Sequence, residues 1–259
     1  MNAPLFSIIT VTYNAEQTVG RTVESVANQT FDDYEHIVID GASSDGTLSA
    51  VQTAGRQDRR SILSEADKGL YDAMNKGISM ATGEYLVFLN AGDKFHSNNT
   101  LQMIADAISD NEGADIVYGQ TDLVDKEGKF IAPRHIEAPR ELNLKDFANG
   151  MVVCHQAFVV RRSIAPYFSL KYRYSADYEW CIICLMHSSK NVYVDAVLID
   201  YLYEGLTTAN RNKSLRERFS IMTEYYGFWP TLWRHIGFIP RFFKHKKAVK
   251  EGTDERKKR

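Results

Sequence analysis

At 259 residues, 44% hydrophobic and 25% charged, the chain has a globular composition and fits one large α/β domain or two small ones. Three cysteines exclude a disulfide framework and suit a reducing compartment, and no apolar run reaches the ~18 residues of a membrane-spanning helix. From Arg241 onward nine Lys/Arg face three Asp/Glu, so a +6 tail follows a −8 body behind the formal charge of −2; the body argues against a nucleic-acid channel, and the tail points to an anionic surface.

Met1–Leu5 carries no charged n-region and no long apolar run, so no secretory signal is expected. Leu5–Thr12 is β-branched and apolar and reads as a central strand, broken by Tyr13-Asn14-Ala15. A helix follows, with Val19, Val23 and Val26 on one face. Tyr34–Asp40 is a second strand, ending in the turn-rich Gly41–Gly46 that leads into a helix near Thr47. Ser61–Ser64 is a short third strand, Asp67-Lys-Gly69 a turn, and Leu70–Ala81 a helix. Tyr85–Leu89 is a short apolar run suited to a buried strand. It stops at Asn90-Ala-Gly-Asp93, which is turn chemistry. A carboxylate there either holds a metal or nucleotide at the strand's C-terminal edge or caps the next helix. Alternating strands and helices to about residue 110 predict βαβ units and a parallel sheet.

The second half is less regular. Strands are predicted at 115–118 and 121–125, with a turn at Lys126-Glu-Gly128, a loop at 133–139 and a long strand over 152–160. A helix is predicted over 175–186, where Cys181 and Cys184 fall at core positions, then a strand at 191–197, a loop at 206–210 and a helix at 214–226. The expected organisation is one domain over 1–227, with a nucleotide-sugar-binding half (1–110) and an acceptor-side half (111–227). A basic aromatic appendage occupies 228–259.

Five motifs occur in fixed order: Ser7-Ile-Ile-Thr-Val-Thr-Tyr-Asn14, Ser25-Val-Ala-Asn-Gln-Thr30, Ile39-Asp-Gly-Ala-Ser-Ser-Asp-Gly-Thr47, Glu65-Ala-Asp-Lys-Gly-Leu-Tyr-Asp-Ala-Met-Asn-Lys-Gly77 and Ala81-Thr-Gly-Glu-Tyr-Leu-Val-Phe-Leu-Asn-Ala-Gly-Asp93. As a set they resemble the family-2 glycosyltransferases of GT-A fold, in particular bacterial exopolysaccharide enzymes of the colanic-acid type. The match is dense over 5–95, thinner over 115–210, and absent beyond 228. The resemblance implies a mixed, mainly parallel sheet flanked by helices. It also implies inverting transfer of a sugar from a nucleotide-sugar, with a UDP-sugar expected, to an acceptor hydroxyl.

Such a reaction needs a nucleoside pocket, a divalent cation (Mg²⁺ or Mn²⁺) against the leaving diphosphate, and a general base facing the acceptor. By resemblance, Thr12, Tyr13 and Asn14 wall the donor pocket and Tyr13 offers its ring to the base. Asp40 matches the first acidic position of an Asp-Asp-x-Ser motif whose second Asp is Gly41 here. Asp67 is a nucleoside contact. Asn90 and Asp93 occupy a D-x-D-type motif whose first carboxylate is missing, so Asp93 is the main metal ligand. Asp177, in the first turn of a helix where the dipole favours the anion, is the general base, and Glu179 is the fallback. His155 and Gln156 resemble an acceptor-side pair. Arg161 and Arg162 pair with diphosphate or face water. The family's metal-binding His after the last strand has no counterpart in Tyr203–Thr208, where Glu204, Thr207 and Thr208 are the remaining polar groups.

In the appendage, Trp229, Trp233 and Phe238 with the basic end read as a segment on an anionic membrane surface, or else pack on the domain. The expected acceptor is sugar-linked polyprenyl diphosphate at the inner face of the cell membrane, with the protein cytoplasmic or peripheral there. The rival readings are a non-catalytic nucleotide-sugar-binding scaffold of the same fold and a nucleotidyltransferase; donor hydrolysis without acceptor separates these.

Overall fold

The computed structural model of the protein describes residues 3–203 and 210–236. Glu204, Thr207, Thr208, Phe238 and the basic tail from Arg241 lie outside the described residues. The strands are β1 (Phe6–Thr12), β2 (Tyr34–Asp40), β3 (Arg60–Ser64), β4 (Tyr85–Phe88), β5 (Lys94–Phe95), β6 (Ile116–Val124), β7 (Phe130–Pro133), β8 (Phe158–Arg161) and β9 (Asn191–Leu202). The helices are α1 (Val19–Ala27), α2 (Thr47–Thr53), α3 (Leu70–Met80), α4 (Thr100–Asp110), α5 (Ala176–His187) and α6 (Arg211–Tyr226).

All nine strands join one mixed sheet of order β3-β2-β1-β4-β8-β6-β9-β5, with β7 on β6. The run β3-β2-β1-β4 is parallel, as the alternation of strands and helices requires. β8 runs antiparallel to both β4 and β6, which restores β6 and its parallel neighbour β9 to the direction of β4. The C-terminal ends of β1, β2, β3, β4, β6 and β9 therefore share one edge, where ligands bind in open α/β sheets.

Alternation along the strands splits the core into two layers. Phe6 and Ile8 of β1 pack with Tyr85 and Val87 of β4 on one face. Ile9 and Val11 pack with Leu86 and Phe88 on the other, against α3 and α5. On that second face Trp180 stacks on Phe168 at 4.9 Å and meets Phe88 edge-on at 5.4 Å. Cys181 and Cys184 are buried there as free thiols.

Three expectations change in the fold. The two strands predicted at 115–118 and 121–125 are one, β6, whose register shifts beside Gly119; a Cβ there would lie 2.7 Å from the Leu198 side chain. The strand predicted over 152–160 is extended only over β8. His155–Ala157 forms a 3-10 turn, closed by Ala157 N–H donating to the Cys154 carbonyl. The stretch is apolar because it is buried, which periodicity cannot distinguish from strand. Finally, β8 enters antiparallel, so Arg161 and Arg162 sit at the opposite end of the sheet from the ligand-binding edge. Arg161 pairs with Glu84 and Asp115, and Arg162 donates to the Gly83 carbonyl; neither is placed for a diphosphate.

Candidate active site

The β1 and β2 loops form one stitched ledge at this edge. Asn14, at φ 47°, donates its N–H to Ser43 Oγ and accepts from Ser44 N–H on its side-chain oxygen. Ala15 N–H donates to Thr47 Oγ1. Tyr13 stands out from this ledge, 65% exposed. Thr12 is buried, with its hydroxyl lacking a protein partner.

Asp40 and Asp67 divide the work expected of them. Asp40 is fully buried, and its carboxylate accepts from Ser43 N–H, Ser43 Oγ and Ser64 Oγ. These three bonds use the Asp40 carboxylate to brace the ledge. Asp67 is half-buried and reaches over Gly41. A Cβ at position 41 would fall 2.5 Å from Asp67 Oδ2 and 3.3 Å from Tyr13 Cδ2. The missing side chain at Gly41 is thus the space that the Asp67 carboxylate and the Tyr13 ring share.

The turn after β4 is built by α1. Thr22 Oγ1 accepts from Gly92 N–H and donates to the Asp93 carbonyl, and Arg21 Nε donates to the Gly92 carbonyl at 2.7 Å. Gly92 has φ 101°, and a Cβ there would meet Leu202 at 2.6 Å, so glycine is required on both counts. Asp93 caps no helix, because β5 follows it. Its carboxylate is buried, accepting from Gln156 Nε2 at 2.7 Å and Leu202 N–H at 2.9 Å. Burial pushes its pKa up to about 6, against the lowering effect of those hydrogen bonds, His155 and Arg21.

His155 and Gln156 are consecutive and reach two carboxylates, Asp177 and Asp93. Gln156 holds Asp93 and accepts from Cys154 Sγ. His155 Nδ1 lies 3.2 Å from Asp177 Oδ2. Asp177 Oδ1 accepts from the Tyr71 hydroxyl and from Tyr178 N–H, each at 2.9 Å. Burial opposes ionisation of Asp177, but the His155 hydrogen bond and charge, Arg218 and Tyr71 outweigh it and hold its carboxyl below the usual range. Glu179 does not join this group. Two residues on along α5, it faces away, accepting from the Tyr225 hydroxyl of α6. Tyr71 was not foreseen; its contact spans 106 positions, and no local pattern announces it.

A divalent ion can be tested against these residues. Asn90 Oδ1 is buried without a protein partner, and each Asp93 oxygen accepts one bond, which leaves acceptor capacity. One carboxylate and one neutral amide oxygen form a hard donor set that fits Mg²⁺ or Mn²⁺. A second cluster, His96, Asp122 and Asp200, brings ligand atoms within 4.8 Å of one another. There Asp200 is already paired with Lys94 Nζ at 2.8 Å and His96 Nδ1 at 2.7 Å.

Fold and site together define a mixed α/β protein with buried carboxylates at the C-terminal edge of its sheet. The family model for glycosyl transferase family 2 matches residues 7–168, and the chain belongs to that family. It is 33% identical over 231 residues to a PGL/p-HBAD biosynthesis glycosyltransferase of Mycobacterium tuberculosis, covering 86% of this chain and 87% of the relative. It is 26% identical to the Escherichia coli UDP-Glc:alpha-D-GlcNAc-diphosphoundecaprenol beta-1,3-glucosyltransferase WfgD, covering 87% and 88% of the two chains. The fold matches S. aureus TarS 1–349 in complex with UDP-GlcNAc at TM-score 0.72 and 19% identity, over 92% of this chain and 73% of that one. It also matches the Pyrobaculum calidifontis mannosyltransferase PcManGT in complex with GDP-Man and Mn2+ at TM-score 0.61 and 15% identity, over 96% and 81%. The mixed α/β GT-A fold and the glycosyltransferase class expected from the motifs are therefore those of this chain.

Proposed function

We propose that the chain is an inverting glycosyltransferase of glycan assembly, moving a sugar from a UDP-sugar to an acceptor hydroxyl. One observation carries this reading: the consecutive His155 and Gln156 tie Asp177 and Asp93 into a single centre beside the Tyr13–Gly41–Asp67 ledge. UDP as the nucleotide is supported by the UDP-Glc in the name of WfgD and the UDP-GlcNAc held by TarS. The diphosphoundecaprenol in the name of WfgD supports a polyprenyl-diphosphate-linked acceptor.

In this mechanism Tyr13, Asn14 and Asp67 receive the nucleoside, and Thr12 and Asp40 hold the ledge beneath it. Asn90 and Asp93 hold Mg²⁺ or Mn²⁺. The ion, when bound, supplies Lewis-acid stabilisation of the leaving diphosphate. Asp177, ionised and fixed by Tyr71 and His155, is the carboxylate of the general-base apparatus that deprotonates the acceptor hydroxyl.

Calorimetric titration with UDP and Mn²⁺, paired with a transfer assay using UDP-sugars, tests this. Asp177→Asn is expected to bind UDP as the parent does and to lose at least ~100-fold in transfer; unchanged transfer refutes its role. Asp93→Ala is expected to lose the enhancement of UDP binding by Mn²⁺. A chain that binds UDP and Mn²⁺ yet turns over no donor is a scaffold instead.

A further inference from the structure

His96, Asp122 and Asp200 lie outside the centre described above, and we propose that they form a second, separate site for a divalent cation, Zn²⁺. The sheet sets their spacing. Asp200 of β9 stands opposite Asp122 of β6 on one side and opposite Lys94 of β5 on the other. His96 follows β5 and is fixed by its N–H, which donates to the Leu198 carbonyl of β9. One ligand atom from each of His96, Asp122 and Asp200 lies within 4.8 Å of the others. Zn²⁺ holds such atoms at about 2.0–2.2 Å, so a small rotation of the side chains brings all three around one ion.

The local charges leave room for a cation. Two carboxylates share one lysine, and both side-chain pairs go to Asp200: Lys94 Nζ lies 2.8 Å from Oδ2, and His96 Nδ1 lies 2.7 Å from Oδ1. On its other side Asp122 faces Pro133 of β7, which has no N–H to give. Burial, with Asp200 beside it, pushes the Asp122 carboxyl above its ordinary value, and among the described residues His96 alone opposes the rise. Neighbouring carboxylates disfavour each other's charge, and a divalent ion between them removes that penalty. The imidazole selects the ion. Zn²⁺ takes nitrogen together with carboxylate oxygen, whereas Asn90 and Asp93 offer oxygen alone, which suits Mg²⁺ or Mn²⁺. The site is open to solvent, with the His96 side chain 43% exposed. Lys94 is partly exposed as well, and its flexible stem lets the ammonium swing into water as the ion takes its place. Asp93 directly precedes β5, and its Oδ1 accepts from Leu202 N–H, two residues beyond Asp200. Zn²⁺ here is therefore a clasp across β5, β9 and β6, behind the turn that carries Asp93, and takes no part in transfer.

Calorimetric titration of the full chain with Zn²⁺ alone tests the site, followed by melting with and without the ion. The parent is expected to bind Zn²⁺ and to melt at a higher temperature when it is bound. His96→Gln and Asp122→Asn are each expected to weaken binding at least ~10-fold, since even an outer partner of a metal ligand is worth about 10–100-fold in affinity, and to lose the rise in melting temperature. Asp93→Ala is expected to keep the parent's Zn²⁺ affinity. A parent that binds no Zn²⁺ overturns the site. So does parent-like affinity in His96→Gln or in Asp122→Asn, which would put the ion elsewhere, and so does loss of Zn²⁺ binding in Asp93→Ala, which would put it at the donor centre. Should one of the two ligand variants not fold, the other decides. Failure of UDP binding or of transfer bears on the glycosyltransferase reading alone, because none of these measurements uses a sugar donor.

Discussion

Burial decides what each polar side chain at the strand ends can do. Asp40 has no exposed surface and three local donors, whereas Asp67 is only half-buried and its carboxylate needs the empty side of Gly41. Gly41→Ala is therefore expected to displace Asp67 and weaken UDP binding about 10-fold, equivalent to ~1.4 kcal/mol, with little change in melting temperature; calorimetry with and without Asp67→Asn measures it. His36 shows burial acting on stability. Its ring is fully buried in β2, within 3.0 Å of Thr10 Oγ1, and burial, aided by Arg60, lowers its pKa from 6.5 to about 3. A histidine with a depressed folded-state pKa contributes stability above its unfolded value that is lost as pH falls toward the folded one. Between pH 6.5 and 5 this residue should cost the fold about 2 kcal/mol. Urea unfolding at pH 7 and pH 5 should show that loss in the parent and a smaller one in His36→Gln.

The decisive elements are short. The turn carrying Asn90 and Asp93 is held by α1 more than by its own hydrogen bonds, with Thr22 serving as donor and acceptor at once. Thr22→Val keeps the shape and removes both bonds, leaving the Gly92 amide without its partner. A loss of about 1–3 kcal/mol is expected, read as a lower urea midpoint, together with weaker Mn²⁺-assisted UDP binding. Motif spacing made this turn legible because a buried strand running into Asn-Ala-Gly-Asp leaves few alternatives. The 3-10 turn at His155 was not legible. It lies in a mostly apolar run buried like a strand, and its two polar residues meet partners far along the chain: His155 meets Asp177, 22 positions on, and Gln156 meets Asp93, 63 positions back.

On the scale of the whole molecule, the last described segment is a short helix after α6. The helical residues 228–236 pack against α6 through Phe219, which meets Phe228 at 6.2 Å and His235 at 5.0 Å. Trp229 and Trp233 project outward, 67% and 69% exposed. Among the described residues no helix is long and apolar enough to cross a membrane. Two outward tryptophans one helical turn apart, followed in sequence by a +6 tail, suit attachment to an anionic bilayer surface. In liposome flotation with anionic lipid, the full chain is expected to float, and a chain ending at Gly227 or carrying Trp229→Ser with Trp233→Ser is expected to stay down. Flotation of the truncated chain to the same extent removes the surface proposal.

The sequence by itself determined the parallel run of β1 to β4, the family, and the turns at which Tyr13, Asn90 and Asp93 sit. These depend on local hydrophobic period and on glycine and Asx residues whose conformational preferences act within a few positions. Only the tertiary structure decided that Asp40 braces a loop while Asp67 leans over Gly41, and that Arg161 and Arg162 lie at the far end of the sheet. It alone set His155 Nδ1 against Asp177 and left Nε2 buried without a protein partner. Those outcomes depend on strand direction and on contacts between residues far apart in the chain, where burial sets the protonation and the free valence of each group, and no local pattern encodes them.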